Sequence, residues 1–122
     1  MKILLVDDAM FIRMSLEKIL DDSEYKFEYI EAGDGIQAIE KYKEENPDIV
    51  IMDISMPNMD GIEAVKSIRE YDSNADIIMC SSMGYPQKVL DAINAGASDF
   101  ITKPYKPEQI VDAIKVALQR KK

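Results

Sequence analysis

Reactive side chains follow four of the five short apolar runs in this 122-residue sequence. Asp7 and Asp8 come after the first run, Asp53 after the third, Ser81 after the fourth and Lys103 after the fifth. If these runs are parallel strands, their carboxyl ends meet at one edge, where open α/β sheets bind ligands. Crowded carboxylates repel one another unless they share a proton or recruit a cation. An Asp after a strand can also simply cap the next helix, but the coincidence of these groups predicts a cation site.

The available ligands indicate which cation this is and what chemistry it supports. The sequence has no histidine and a single cysteine, Cys80, which argues against zinc and other soft-site metals. Mg²⁺ (or Mn²⁺), bound by carboxylates, waters and a substrate phosphate, fits an all-oxygen site. A carboxylate beside it can accept a phosphoryl group and form an aspartyl phosphate. Asp53 is the predicted acceptor, with Lys103 and Ser81 contacting the transferring oxygens.

Five apolar runs alternate with segments whose apolar residues recur at helical spacing. This alternation predicts a doubly wound α/β fold, a five-stranded parallel sheet with five helices on its two faces. Strands buried on both faces have continuous apolar runs, as seen here. The predicted strands are Ile3 to Val6, Phe27 to Ile30, Ile49 to Met52, Ile77 to Cys80 and Phe100 to Thr102.

Helix boundaries are marked by proline and glycine. Pro86 and Pro107 are predicted to begin the fourth and fifth helices, and Gly96 to end the fourth. The first helix, Met10 to Leu20, is apolar on more than one side, which predicts a helix packed deeply on the sheet.

Composition limits the classes of function. The 23 acidic residues against 15 basic ones give a formal charge of −8, which disfavours nucleic acid and anionic membranes as partners. The apolar runs are too short to span a bilayer, and no signal segment opens the chain. A single cysteine excludes an internal disulfide. These features predict one cytoplasmic domain, residues 1–122, whose partners are proteins or cations.

Four short stretches together resemble the response-regulator receiver domain. They are VDD at 6–8, MDISMPNMDG at 52–61, SS at 81–82 and KP at 103–104. The ordered set of two acids, a third acid, a hydroxyl and a lysine at successive strand ends is far more specific than any one motif. The resemblance covers nearly the whole chain and implies a flavodoxin/CheY-like sheet in the order 2-1-3-4-5. Because the sequence ends just after the fifth predicted helix, no output domain is expected.

The resemblance also implies roles for single residues. Asp53 matches the phosphoacceptor and a direct Mg²⁺ ligand, Asp8 a second direct ligand, and Asp7 an acid that holds the metal through water. Ser55 matches the position whose backbone carbonyl completes the metal shell.

The remaining matched positions concern the phosphoryl group and the switch. Ser81 and Lys103 match its hydroxyl and ammonium contacts, Phe100 the switch aromatic, and Lys103-Pro104 a cis peptide bond. In such a switch, phosphorylation draws Ser81 toward the new charge and Phe100 turns inward. The loop after the fourth strand would couple this change to an output surface, roughly Lys88 to Asn94 and Thr102 to Asp112.

The stretches DDAMFIRMSL and IIMCSSMG resemble chemotaxis proteins of the CheY group in bacteria and archaea. The expected donor is a CheA-like histidine kinase, because a chain without histidine cannot carry the phosphohistidine itself. The expected target is a motor switch protein or an adaptor, and a phosphatase is a further possible partner. The alternatives are a phosphorelay shuttle and a receiver cut from a longer regulator. No separate substrate turnover is expected, although the domain would assist its own phosphorylation and dephosphorylation.

Two other protein classes share part of this pattern. A Mg²⁺-dependent phosphatase of the haloacid dehalogenase type needs an Asp-x-Asp pair, whereas residues 53–55 read Asp-Ile-Ser and lie after the third strand. An FMN carrier needs a loop rich in hydroxyls and glycine after the first strand. That loop begins here with Asp7 and Asp8, which repel phosphate.

Overall fold

The computed structural model describes residues 1–82 and 86–120. The loop after the fourth strand, expected to couple the switch to its output, falls at 83–85 and lies outside the described residues. Residues 121–122 lie outside them as well.

Strands and helices alternate along the described chain, as the sequence predicts. The strands form one parallel sheet in the order β2-β1-β3-β4-β5, which confirms the expected topology. The elements are β1 (Lys2–Val6), α1 (Met10–Asp21), β2 (Glu28–Ala32), α2 (Gly35–Glu45), β3 (Ile49–Asp53), α3 (Gly61–Tyr71), β4 (Ile77–Ser82), α4 (Pro86–Ala95), β5 (Asp99–Lys103) and α5 (Pro107–Arg120).

Several strands extend into polar residues that the prediction placed outside them. Strand β4 continues through the two serines because their backbones still pair with β5, Ser81 opposite Thr102 and Ser82 opposite Lys103. Asp53 and Lys103 are accordingly the last residues of β3 and β5. Pairing is made by the backbone, so a polar side chain does not by itself end a strand. Both charged groups therefore project from the sheet itself.

Two buried clusters lie on opposite faces of the sheet. Successive residues of β3 alternate between them, since side chains in a strand point to opposite faces. Ile51 joins the cluster that contains Leu16 of α1, and Met52 joins the one that contains Val65 of α3. Both strand residues are at most 2% exposed. The strand that ends in Asp53 is thus a rigid support for that carboxylate.

The prediction of a deeply buried α1 is wrong. Leu16 and Leu20 are its buried residues, whereas Met10, Phe11 and Met14 are 63%, 72% and 58% exposed. A helix on one face of a sheet buries a single stripe, and residues four apart, such as the two leucines, form it. The additional apolar residues of α1 lie on the surface.

The predicted helix boundaries agree with the structure. Helices α4 and α5 begin at Pro86 and Pro107, and α4 ends at Ala95. Gly96 follows with a φ of 115°, a conformation that favours glycine. Among the described residues, the helices are all too short or too polar to cross a membrane.

Candidate functional site at the carboxyl edge of the sheet

Three carboxylates converge where β1 and β3 end. One oxygen from each of Asp7, Asp8 and Asp53 lies within 4.8 Å of the others. The two strands are hydrogen-bonded neighbours, which brings their carboxyl ends together. Asp7 is buried, Asp53 is half-buried and Asp8 is exposed, so the cluster opens toward solvent at one side. Three oxygen ligands at this spacing suit a hard divalent cation.

Lys103 reaches this cluster from β5. Its Nζ lies 3.2 Å from Asp7 Oδ2 and 3.5 Å from Asp53 Oδ1. Strand β4 separates β5 from β3, and the long lysine side chain spans that distance. Three carboxylates and one ammonium leave an excess of two negative charges among these four groups. That excess matches the charge of a divalent cation.

Burial and neighbouring charges shift the ionisation of both partners. Burial raises the pKa of Asp53 above its ordinary value; the Lys103 ammonium opposes this rise and the Asp7 carboxylate adds to it. Burial lowers the pKa of Lys103, but the Asp53 and Asp7 carboxylates together raise it above its ordinary value. Lys103 is therefore cationic at neutral pH, and the cost of holding a charge at Asp53 favours a compensating cation.

The orientation of Asp7 is determined by three contacts. The Ala9 N–H donates to Asp7 Oδ1 at 2.9 Å, and Lys103 occupies the other carboxylate oxygen. The Arg13 guanidinium donates to the backbone carbonyl of Asp7 and, through Nε, to Glu31 Oε1 at 2.8 Å. Arg13 thus links α1 and β2 to the end of β1. The sequence does not predict this role of Arg13, because a single basic residue on a helix does not indicate which carbonyl it will contact.

Gly61 lies directly behind the end of β3. Its N–H donates to the Ile54 carbonyl at 2.7 Å, and a Cβ at this position would lie 2.2 Å from the backbone oxygen of Asp53. Asp60 caps α3 at the same point by accepting from the Glu63 N–H. The turn after Asp53 is therefore closed by α3 itself. Ser55 is exposed within that turn.

Ser81 and Phe100 share one face of the sheet. In the register between β4 and β5, Ser81 pairs with Thr102 and Met79 with Phe100. Because side chains alternate along a strand, Ser81, Met79 and Phe100 point to the same side. Phe100 is partly buried against the cluster on that side, and Ser81 is 6% exposed. The Lys103-Pro104 peptide bond is cis, as the resemblance implies.

A cavity of about 590 Å³ lies beside the carboxylates, with Lys103 in its wall. Burial, reinforced by the negative charges of nearby groups, raises the pKa of Tyr105 in the same wall to about 12, so its hydroxyl stays protonated. The other lining residues are Ile12, Ser15, Ser82 and Pro104. The space next to the site is largely apolar.

The structure thus brings Asp7, Asp8, Asp53 and Lys103 into contact range, as predicted from their order in the sequence. It places Ser55 and Ser81 on segments that reach the same edge. Phe100 lies further back on β5.

A parallel sheet in this order, with acids at the ends of β1 and β3 and a lysine at the end of β5, defines a class of signalling domain. The family model of the response regulator receiver domain matches residues 3–115. The chain belongs to this family, whose members act in two-component signal transduction.

The chain is similar to several chemotaxis proteins. It is 51% identical over 117 residues to the chemotaxis protein CheY of Bacillus subtilis, covering 96% of this chain and 97% of that protein. It is 51% identical over 113 residues to CheY of Thermotoga maritima, covering 93% of each chain.

A solved structure agrees with these relatives. CheY in the CheX-CheY-BeF3-Mg²⁺ complex from Borrelia burgdorferi is 37% identical, with a TM-score of 0.88, covering 96% of this chain and 88% of that one. The chain is thus a CheY-like receiver domain in both sequence and fold.

Proposed function

We propose that this protein is a phosphorylation-activated switch of chemotaxis signal transduction, and that Asp53 accepts the phosphoryl group. The observation that carries the proposal is the convergence of three carboxylates within 4.8 Å, with the Lys103 ammonium 3.5 Å from Asp53. A carboxylate that serves only as a helix cap needs neither a cation nor two acidic neighbours. Residues 1–122 are proposed to act as one receiver domain in the cytoplasm.

Asp8, Asp53 and the Ser55 carbonyl are proposed to hold Mg²⁺ directly, and Asp7 through water. Both oxygens of Asp7 already accept hydrogen bonds, from Ala9 N–H and Lys103, which suits an indirect contact. Asp8 is exposed and can turn toward the ion. The all-oxygen set and its excess negative charge fit Mg²⁺ or Mn²⁺. A bound ion would neutralise charge on the phosphoryl oxygens during transfer.

In the transfer step, an oxygen of ionised Asp53 attacks the phosphorus. A P–O bond forms as the bond from phosphorus to the donor nitrogen breaks, and that nitrogen leaves with its electron pair and takes up a proton. Lys103 lies close enough to contact one phosphoryl oxygen, and we assign the Ser81 hydroxyl to another.

The output is proposed to pass through Ser81 and Phe100. Their common face of the sheet supports coupled movement, with Ser81 drawn to the phosphoryl group and Phe100 turning inward. The proposed target surface is α4, β5 and the start of α5. Leu90 and Ile93 on α4 are each 53% exposed, and apolar side chains of this size suit a protein interface.

The proposed partners follow from the donor chemistry and from the relatives. The chain has no histidine, so a CheA-like histidine kinase would supply the phosphoryl group. The similarity to CheY proteins supports a motor switch protein or an adaptor as target. In the Borrelia relative, a second protein, CheX, is bound in the presence of BeF3 and Mg²⁺. A phosphatase is also among the proposed partners.

The test is intact mass after incubation with phosphoramidate, with and without Mg²⁺. The native chain is expected to gain one phosphoryl group only with Mg²⁺, and Asp53→Asn to gain none. Glu70→Gln, which removes an exposed carboxylate from α3, is the matched control and should behave as the native chain does. A native chain that gains no phosphoryl group at any Mg²⁺ concentration would overturn the proposal.

A further inference from the structure

Asp34 is a buried acid that lies outside the carboxylate cluster. It is 6% exposed and precedes α2. Its Oδ1 accepts from the Gln37 N–H at 2.8 Å, an ordinary helix cap, and its Oδ2 accepts from Asn58 Nδ2 at 2.8 Å. Capping thus uses one oxygen, while the other binds a residue 24 positions further along the chain.

Asn58 belongs to the acceptor loop, which we define as residues 54–60 between β3 and α3. Its φ of 67° is a left-handed conformation that asparagine tolerates better than most residues. A second contact joins the same two segments, since the Gly35 N–H donates to the Met59 carbonyl at 3.0 Å. A Cβ on Gly35 would lie 2.6 Å from that carbonyl oxygen. The start of α2 and the acceptor loop therefore meet backbone against backbone.

The acceptor loop is also held at its two ends. The Ile54 N–H donates to the Cys80 carbonyl at 3.1 Å, and the Gly61 N–H donates to the Ile54 carbonyl at 2.7 Å. Residues 55–57 lie between these contacts and the pair Asp34–Asn58. This short segment contains Ser55 and begins two residues after Asp53. Its position relative to the carboxylates consequently depends on how the loop is held at Asn58.

We propose that Asp34 and Asn58 are positioning residues for the phosphoryl site. Their hydrogen bond holds the acceptor loop so that Ser55 and Asp53 face the same cation, and thereby sets the affinity of the site for Mg²⁺ and the rate of phosphoryl gain. This inference rests on the proposed function of Asp53. Neither residue touches the reacting atoms, and both act through the backbone between them. Misplacing a ligand group by about 1 Å is enough to weaken a metal site or slow a reaction.

Exchanging the pair tests the proposal without changing the net charge. Asn58→Asp places two carboxylates face to face, and Asn58→Gly removes the donor while allowing the left-handed φ. The double variant Asp34→Asn with Asn58→Asp restores one donor and one acceptor in reversed order, and an Asn at 34 still caps α2. Mg²⁺ affinity is measured by calorimetric titration with the metal alone, and phosphoryl gain from phosphoramidate by intact mass.

Each single variant at 58 is expected to weaken Mg²⁺ binding about 10-fold, as loss of an outer contact does at other metal sites. The double variant with the exchanged pair should bind Mg²⁺ with an affinity within about two-fold of the native value. Rescue by exchange distinguishes positioning from a general loss of structure. A urea titration of every variant identifies any variant that has lost its folded structure.

Asp48→Ala is the matched control. It removes a carboxylate at the amino edge of the sheet, where Asp48 accepts from the Lys2 N–H at 2.8 Å, and leaves Asp34 and Asn58 in contact. It should lower stability while Mg²⁺ affinity and phosphoryl gain stay near the native values. If Asn58→Gly binds Mg²⁺ and gains a phosphoryl group as the native chain does, this inference is overturned but the proposed function is not. A native chain that neither binds Mg²⁺ nor gains a phosphoryl group would remove the proposed function, and the inference with it.

Discussion

Gly61 contributes to the site because it has no side chain. A Cβ there would lie 2.2 Å from the Asp53 carbonyl oxygen and 3.0 Å from the Ile54 Cα. Both obstacles are backbone atoms of β3 and the turn that follows it, so they cannot move without moving Asp53. The close approach lets α3 begin directly behind the site. At the residue scale, the position of a charged group therefore depends on an uncharged neighbour.

Gly61→Ala is accordingly expected to lower the free energy of unfolding by about 3 kcal/mol, in the upper range for overpacking. Gly33→Ala is the matched control, since its Cβ would lie no closer than 3.5 Å to another atom, at the end of the flexible Gln37 side chain. That change should shift stability by less than about 1 kcal/mol. Urea unfolding in EDTA measures both. Equal stability of the two variants would show that the backbone near Asp53 yields more easily than this packing indicates.

At the scale of elements, Arg13 connects three of them. It lies on α1, binds the carbonyl of Asp7 at the end of β1, and pairs with Glu31 on β2 at 2.8 Å. Its side chain is 16% exposed, so solvent screens this arrangement only in part. The carbonyl it holds belongs to a residue of the proposed metal site. The packing of α1 and the geometry of the carboxylates are therefore linked.

Arg13→Ala should weaken Mg²⁺ binding about 10-fold, because the end of β1 loses the contact that holds it. Lys18→Ala provides the comparison on the same helix, since it removes an exposed ion pair with Asp22 at 3.3 Å. Exposed pairs of this kind contribute little, so the affinity for Mg²⁺ should not change. Calorimetric titration with Mg²⁺ checks both variants. An unchanged affinity in Arg13→Ala would mean that Asp7 keeps its position without the arginine.

Sequence patterns were sufficient to predict the elements and their order but not all of their contacts. Continuous apolar runs identify strands buried on both faces, and the ends of those runs locate the carboxylates. The patterns predicted that α1 is buried on more than one side, which is wrong. The apolar residues of a helix do not show how many of its sides other elements cover. The pair Asp34–Asn58 was also beyond prediction. Each residue has a local explanation, as a cap or a turn former, and their contact appears only when the chain is folded.

At the scale of the whole molecule, the two ends of the sheet differ in how far basic side chains balance their acidic groups. At the amino end, buried Asp76 pairs with Arg120 at 2.6 and 3.3 Å, and Arg69 donates to the carbonyls of Ala75 and Gly96. At the carboxyl end, three carboxylates face one ammonium group. Asp76 at the amino end is neutralised by an arginine, whereas the carboxylate cluster at the carboxyl end keeps an excess of negative charge. Functional sites commonly retain such a cost in stability.

This difference predicts opposite effects of removing charge at the two ends. Arg120→Gln leaves Asp76 buried without its partner and should lower the free energy of unfolding by about 2 kcal/mol, less than for a fully buried pair because the arginine is partly exposed. Asp53→Asn removes a charge held close to Asp7 and should raise the free energy of unfolding by about 1 kcal/mol. Urea unfolding at pH 7 in EDTA measures both. With saturating Mg²⁺ the advantage of Asp53→Asn should shrink or reverse, because the cation stabilises the native carboxylates by binding them. A loss of stability in Asp53→Asn without metal would show that the cluster is already balanced within the fold.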